Sequence, residues 1–238
     1  MKAFLMHIGI QWKLDIRNRN VLLPYYVIPI VFFFVMSSVF NGIMPDYGEV
    51  LIPAMICFSI TMAAVLGMPI PLHEIYGSDI KKMYYLGRIP LYVPLLVCVA
   101  TSFVHFLTVS IIIIVFGSLL FDGIIVIGLG QFIMYLIIFI FSSLGLGAII
   151  GVYSKNTSSM VLIGQAIFLP SVLFSGAMFP TEMLPEPMQY ITFIFPASLG
   201  MKVATQTDNV LIIFIVLLLV STVCLVFSFR KTMKLPKI

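Results

Sequence analysis

Apolar residues in this chain come in long blocks, and polar residues fall in short clusters between them. Six apolar runs are about long enough to cross a bilayer: 21–44, 50–72, 89–120, 123–152, 159–179 and 210–229. The third and fourth exceed the roughly 20 residues a span needs, so they are expected to tilt or to project beyond the membrane. Pro24, Pro29, Pro53 and Pro94 lie inside runs. Neighbouring helices can take up the freed carbonyls, so kinks rather than breaks are expected. Residues 1–20 follow another pattern. Leu5, Ile8, Trp12 and Ile16 recur at helical spacing while Lys2, Lys13 and Arg17 sit away from that stripe. This predicts an amphipathic interfacial helix, its basic groups toward anionic headgroups; a solvated tail is the other reading. After the fifth run the pattern breaks. Ser175-Gly176 loosens the chain, and Pro180, Pro185, Pro187 and Pro196 block any long helix. Met188, Tyr190, Ile191, Phe193, Ile194 and Phe195 keep the stretch apolar and aromatic. Residues 180–200 are too broken to span and too apolar for a solvated loop. They are expected at the membrane interface or folded back into it, an ordinary hairpin loop being the alternative.

Composition settles the class. The chain is 61% hydrophobic and 9% charged, with a mean hydropathy of +1.18, against about 45–50% and 25% in soluble domains. An all-α polytopic membrane protein is expected, one domain over 1–238 with six transmembrane helices. No cleavable signal is expected, because the first run is too long for a signal core and lacks a small-residue cleavage site. Cys57, Cys98 and Cys224 all fall in apolar runs without metal-ligand spacing, and read as small buried hydrophobes.

Charge sets the topology. With the N-terminus inside, inner segments hold 12 of the 13 lysines and arginines, leaving only Lys202 outside; six of the nine acids fall outside. Both termini are therefore expected in the cytoplasm and 180–200 at the outer face. Nucleotide-binding and hydrolytic chemistry find no support. There is no phosphate-cradling G-x-x-x-x-G-K-[ST] loop, His73-Glu74 lacks the second histidine of a zinc protease, and no G-x-S-x-G turn occurs. Nor does any carboxylate lie deep in a run, which weighs against ion-coupled carriers. His105, with Thr101, Ser102 and Thr108 nearby, is the one ionisable group near mid-membrane; a hydrogen bond to a neighbouring helix accounts for it better than a substrate contact. Gln131 and Gln165 read the same way, and the small-residue tract Gly145 to Gly151 reads as helix packing.

The longest polar insertion on the inner face is His73 to Arg88. Ile75, Ile80, Met83 and Tyr84 leave an apolar stripe among Glu74, Asp79, Lys81 and Lys82, which fits a short amphipathic helix. A loop that only fixes orientation is the competing reading. Tyr76, Met83, Tyr84 and Tyr85 are protein-contact residues that such a loop would not need.

Two of these stretches carry a resemblance. Ser175-Gly176, Phe179-Pro180, Leu184-Pro185 and Pro196 match, in order and spacing, the region before the last span of ABC-2 type transporter permeases. Glu74 and Gly77-Ser78 resemble the Glu and Gly-Thr of that family's loop after span two; the Thr-Pro usual downstream is replaced by Gly87-Arg88-Ile89-Pro90. The resemblance implies the membrane subunit of an ATP-driven exporter in a prokaryotic-type cell (plasma) membrane. Its coupling helix, with Glu74, Ile75, Tyr76, Gly77, Ser78, Asp79, Ile80, Met83 and Tyr84, would dock on a separate ABC ATPase subunit. Its broken outer element would comprise Gly176, Phe179, Pro180, Leu184, Pro185 and Pro196. ATP and Mg would sit on that partner, with no cofactor on this chain, no catalytic or metal residues, and no nucleic acid involved. A second permease copy or a homologous permease would complete the pathway. Spans one, two and five would line it, with Phe32, Phe33, Phe34, Phe58 and Phe168 as candidates against the plainer reading of lipid-facing aromatics. The apolar, aromatic spans lean toward a hydrophobic or amphipathic substrate: a drug, peptide or lipid-like molecule. An ion-coupled secondary carrier and a non-transporting membrane anchoring subunit are the competing readings.

Overall fold

The computed structural model describes residues 2–43, 48–178, 185, 189, 192, 195–205 and 210–234, and among these there is no strand. A first helix, α1 (Lys2–Arg17), ends one residue before α2, whose start is capped by the Asn18 side chain accepting from the Asn20 N–H at 3.1 Å. Helix α2 runs through Arg19–Leu22, a π-turn Leu23–Val27 and Ile28–Ile43. Helix α3 runs through Gly48–Met62, a π-turn Ala63–Gly67 and Pro69–Gly77. There follow α4 (Ile80–Leu86), α5 (Tyr92–Leu120), α6 (Leu129–Tyr153), α7 (Thr157–Leu173), α8 (Pro196–Ala204) and α9 (Val210–Met233).

Among the described residues five helices are long and apolar enough to cross a membrane: Arg19–Phe40, Gly48–Gly77, Tyr92–Leu120, Leu129–Tyr153 and Leu211–Met233. The run expected as the fifth of six spans forms a shorter helix of 17 residues, α7. It carries Pro170 in its last turn and ends where Gly176 turns left-handed at φ 81°. The fourth run starts later than its hydropathy suggests. Gly123 N–H turns back to the Gly117 carbonyl at 3.0 Å and Ile124 N–H donates to Gly48 at 3.1 Å. Backbone donors of 123–124 are thus spent outside any helix, and α6 begins only after Gly128.

Of the four prolines expected to kink a helix, only Pro24 lies in a wide turn; Pro29, Pro53 and Pro94 sit in α-helical stretches. Pro24 lies in the first such turn, and Pro69 follows the second. A proline has no N–H to give, and the ladder slips to an i−5 partner, as in Met68 N–H to Ala63 O at 2.9 Å. The two wide turns face each other. A Cβ on Gly67 would stand 2.4 Å from the Tyr25 ring, so glycine there lets the tyrosine in.

Helix α3 is the centre of the bundle, with 89% of its most apolar window buried, and α6 packs closely along it. A Cβ on Gly147 would lie 2.3 Å from the Ala64 carbonyl oxygen, and one on Gly151 would lie 2.7 Å from Leu72 Cβ. The small-residue tract therefore serves packing, as its sequence suggests. Helix α9 packs along the other side of α6, where Gly145 meets Cys224 and Ser221. Basic segments gather at one end of the molecule: His7 on α1 meets Tyr84 on α4, and Lys231 on α9 lies 5.4 Å over the Tyr153 ring, two residues from Lys155. Gly48 and Asp122 meet at the other end.

Candidate functional site

The inner loop is split between two helices. Glu74, Ile75, Tyr76 and Gly77 are the last turn of α3, the chain bends at Ser78-Asp79, and α4 carries Ile80, Met83 and Tyr84. Ser78 Oγ accepts from the Ile80 N–H at 3.2 Å and so starts α4. The single apolar stripe expected from 75 to 84 does not form. Ile75 and Tyr76 are buried, and Tyr76 staples the loop to α5: its hydroxyl donates to Leu91 O at 2.6 Å and accepts from Leu95 N–H at 3.1 Å. Tyr84 is half-buried, its hydroxyl 3.0 Å from His7 Nε2 and its ring stacked on that imidazole. Burial pushes the Tyr84 hydroxyl above its ordinary pKa, so it stays protonated. Glu74 accepts from Asn18 Nδ2 at 3.2 Å. Asp79 pairs with Lys82 at 2.9 Å on the surface, a contact that holds its carboxyl below the ordinary range. Outward α4 presents Ile80, Lys82, Tyr85, Met83 at 70% exposure and Leu86 at 78%. Leu86 stands outside the stripe expected from the sequence because it is the last residue of α4, where periodicity is weakest.

A second surface lies between α2, α3 and α7. A groove of about 440 Å³ runs from Asn20, Glu74 and Thr157 at the basic end to Met62 and Leu66. There it meets an aromatic cluster: Phe32 stacks on Phe58 at 3.8 Å and Phe168 packs edge-on to Phe58 at 5.5 Å, with Met62 and Val172 beneath. Three of the five candidate phenylalanines thus come together from three helices. Phe33 is fully buried and, with Phe34, faces Phe121 on the other side of α2. Gln165 lines the groove.

In the outer element, Gly176 takes a left-handed turn, Pro185 is exposed, and Phe179, Pro180 and Leu184 lie outside the described residues. Pro196 opens α8 and is buried. That helix folds inward among α3, α6, α7 and α9. The Ala197 carbonyl accepts from Cys57 Sγ at 3.3 Å, Ser198 Oγ donates to Phe174 O at 2.9 Å, and Gly200 leaves room for the Phe139 ring.

A third constellation was not visible as such in the sequence. The side of α1 turned to the bundle is polar: Gln11 and Asp15 are buried, while Leu5, Met6, Ile10 and Leu14 are exposed. Asp15 Oδ2 lies 3.5 Å from Nε2 of His105, which is 1% exposed, and Gln11 Nε2 donates to Asp15 Oδ1 at 2.7 Å. The other imidazole nitrogen, Nδ1, is 2.7 Å from the Tyr26 hydroxyl, the Trp12 ring stacks on the imidazole at 3.9 Å, and Tyr25 bonds Ser102 beside it. His105 does bond a neighbouring helix, as expected, but a carboxylate from outside every span also reaches it. The helical spacing of Gln11 and Asp15 was the available signal. Among the described residues no group of three or more metal-ligating side chains occurs.

The sequence profile of the ABC-2 type transporter family matches residues 3–208. The chain is 28% identical over 140 residues to the "Probable multidrug ABC transporter permease YbhS" of Escherichia coli strain K12, and equally to its counterpart in Escherichia coli O157:H7. That alignment takes in 58% of this chain and 32% of the relative, so the chain covers about a third of the length of the curated relatives it matches. With the profile covering most of its length and several membrane-spanning helices in its fold, the chain belongs to the ABC-2 type transporter family.

Proposed function

We propose that this chain is the permease subunit of an ATP-driven exporter and passes a hydrophobic or amphipathic substrate outward with a separate ATPase subunit. The observation that carries the reading is the strip formed by the groove and the Phe32–Phe58–Phe168 cluster, which runs along α2, α3 and α7 from the basic end toward the middle of the bundle. It is apolar and aromatic along its length with polar groups at its mouth, the pattern of a site for an amphipathic molecule. Six spans, with α7 as the short fifth, both termini cytoplasmic and α1 at the interface complete the arrangement; the charge bias supports the orientation. A second permease would close the strip from the side of α2 and α7, where Ile28, Val31, Val35, Leu162 and Leu169 are exposed. ATP would bring two ATPase subunits together, and α4, held by Met83 and Leu86, would move with them.

The test is ATP-dependent uptake of an amphipathic dye by inverted vesicles holding the permease and its ATPase. Phe58→Ala should lower uptake several-fold while the ATPase still binds. Unchanged uptake at equal expression would remove the strip from the pathway. One observation favours a second reading, an ion-coupled carrier: the buried Asp15–His105 contact. Uptake driven by an imposed pH gradient without ATP would select it.

A further inference from the structure

We propose that the groove between the α4–α5 turn and the end of α9 is a binding site for the headgroup of an anionic phospholipid, with Arg88 as its charged contact. The groove has a volume of about 650 Å³ and is lined by Arg88, Tyr85, Ile89, Tyr92, Thr232 and Met233, among others, with no acidic side chain among the described residues that line it. It lies where α5 begins at Tyr92 and α9 ends at Met233, the level at which two spans leave the hydrocarbon and phosphates are found. Arg230 and Lys231 add positive charge in the last turn of α9. Apolar Ile89 and Met233 beside a cation, with Tyr85 and Tyr92 in the same lining, suit an occupant that is greasy at one end and anionic at the other. A guanidinium takes up phosphate oxygens two at a time. Basic pockets between spans are the known form of such recognition.

The backbone supplies an independent argument. Helix α4 ends in a Schellman turn: Ile89 N–H donates to Tyr84 O at 2.9 Å and Arg88 N–H to Tyr85 O at 3.0 Å. The residue that must turn left-handed in that motif is the one usually occupied by glycine, and here it is Arg88, at φ 53°. A glycine is present, but one position earlier, at Gly87, whose φ of −74° any residue could adopt. Turn geometry therefore disfavours arginine at 88, and the groove gives it a purpose. The proposal needs only a chain seated in a bilayer and is independent of the exporter reading.

The test uses the full chain in nanodiscs of phosphatidylcholine doped with phosphatidylglycerol of the same acyl length, with native mass spectrometry reading the lipids retained on release. Wild type should retain phosphatidylglycerol in preference. Arg88→Gly should cut that preference by about tenfold or more, the worth of a charge-assisted contact. Its melting temperature in pure phosphatidylcholine should be equal to or above wild type, since glycine suits the turn. Met233→Glu, which sets a negative charge on the exposed end of α9, should abolish the preference by repulsion. Lys13→Gln, a change on exposed α1, should leave it intact. Equal retention of the two lipids by wild type overturns the proposal, and so does a Lys13→Gln loss as large as that of Arg88→Gly, which would mean diffuse attraction to a basic surface. Lipid preference kept in Arg88→Gly, with capture of the ATPase subunit reduced, would assign the groove to a protein partner instead and equally overturn it.

Discussion

Removing either partner of the Asp15–His105 contact should destabilise the protein far more than removing both. The two side chains meet at 3.5 Å and are 3% and 1% exposed, so what their contact gains is set against the water both have lost. Taking both groups out of water costs a comparable amount, so the net worth of the pair is small. Orphaning one member costs about 3–5 kcal/mol, because the other stays buried without its partner. His105→Leu leaves the Asp15 carboxylate, 3% exposed in its side chain, with Gln11 as its remaining partner. Asp15→Leu strands the Gln11 amide and His105 Nε2. Each single variant should lower the melting temperature by roughly 10 °C. The double variant Asp15→Leu/His105→Leu should be more stable than either single, with a coupling energy of about 2 kcal/mol or more. Asp15→Asn should fall between, within about 1 kcal/mol of wild type. Its oxygen still accepts from Gln11, and its amide can donate to Nε2. The chain carries its own probe: Cys57, Cys98 and Cys224 are all buried free thiols, so a dye that fluoresces on reaction with a thiol reports unfolding directly. Single variants within about 1 kcal/mol of wild type, with a double variant equal to their sum, would refute the argument.

Three further outcomes are expected. Met83→Ser with Leu86→Ser should reduce capture of the ATPase subunit by tenfold or more, at about 2 kcal/mol for each anchor; Tyr76→Phe should leave capture intact and lower thermal stability by about 1–3 kcal/mol, the cost of leaving Leu91 O and Leu95 N–H without their shared hydroxyl. Gly147→Val should give no folded protein in a size-exclusion assay, because its Cβ would fall 2.3 Å from the Ala64 carbonyl on the buried central helix. Gly176→Ala should cost about 1 kcal/mol in thermal unfolding through its left-handed φ of 81°, and Gly176→Asn should cost less, since Asn tolerates that region better.

Much of the bundle could be read from hydropathy because burial in a membrane protein follows length: runs such as 50–72 and 210–229 had to be helices with satisfied backbones. Packing glycines were legible for the same reason, as in Gly147 and Gly151 on α6. Helix ends were not. The start of α6 depends on where Gly123 and Ile124 spend their N–H groups, a tertiary fact, and the end of α3 at Gly77 rather than Leu72 depends on Ile75 and Tyr76 finding cover under α5. The same cover explains why the inner loop was only half readable. Tyrosine suggests a protein contact, and both Tyr76 and Tyr84 make one, but with this chain's own Leu91, Leu95 and His7. Long aliphatic residues were left to face outward. In the aromatic set, Phe32, Phe33 and Phe34 are consecutive and so cannot share a helix face; only the helix's rotation decides that Phe32 joins Phe58 and Phe168.

The N-terminal helix shows that amphipathicity alone does not fix which side of a surface element meets the protein. The expected stripe is split: Leu5 and Ile16 are exposed together with Met6, Ile10 and Leu14, while Ile8 and Trp12 are half-buried. Gln11, Asp15 and the face of Trp12 turn to the bundle instead: Asp15 reaches His105, Trp12 stacks on the same imidazole, and Gln11 donates to Asp15. The usual rule of apolar in and polar out is therefore inverted along α1. The inversion ties together three parts of the chain: His7 holds Tyr84 on α4, Asn18 holds Glu74 at the end of α3, and Asp15 reaches His105 on α5. Under this helix, Asp15, Glu74, Ile80 and Tyr84 line a single groove of about 430 Å³. A displacement of α4 cannot leave α1 where it is without breaking the His7–Tyr84 contact, and α1 cannot shift without exposing or unpairing Asp15. The polar side of α1 therefore makes the α3–α4 loop and the centre of α5 mechanically one unit.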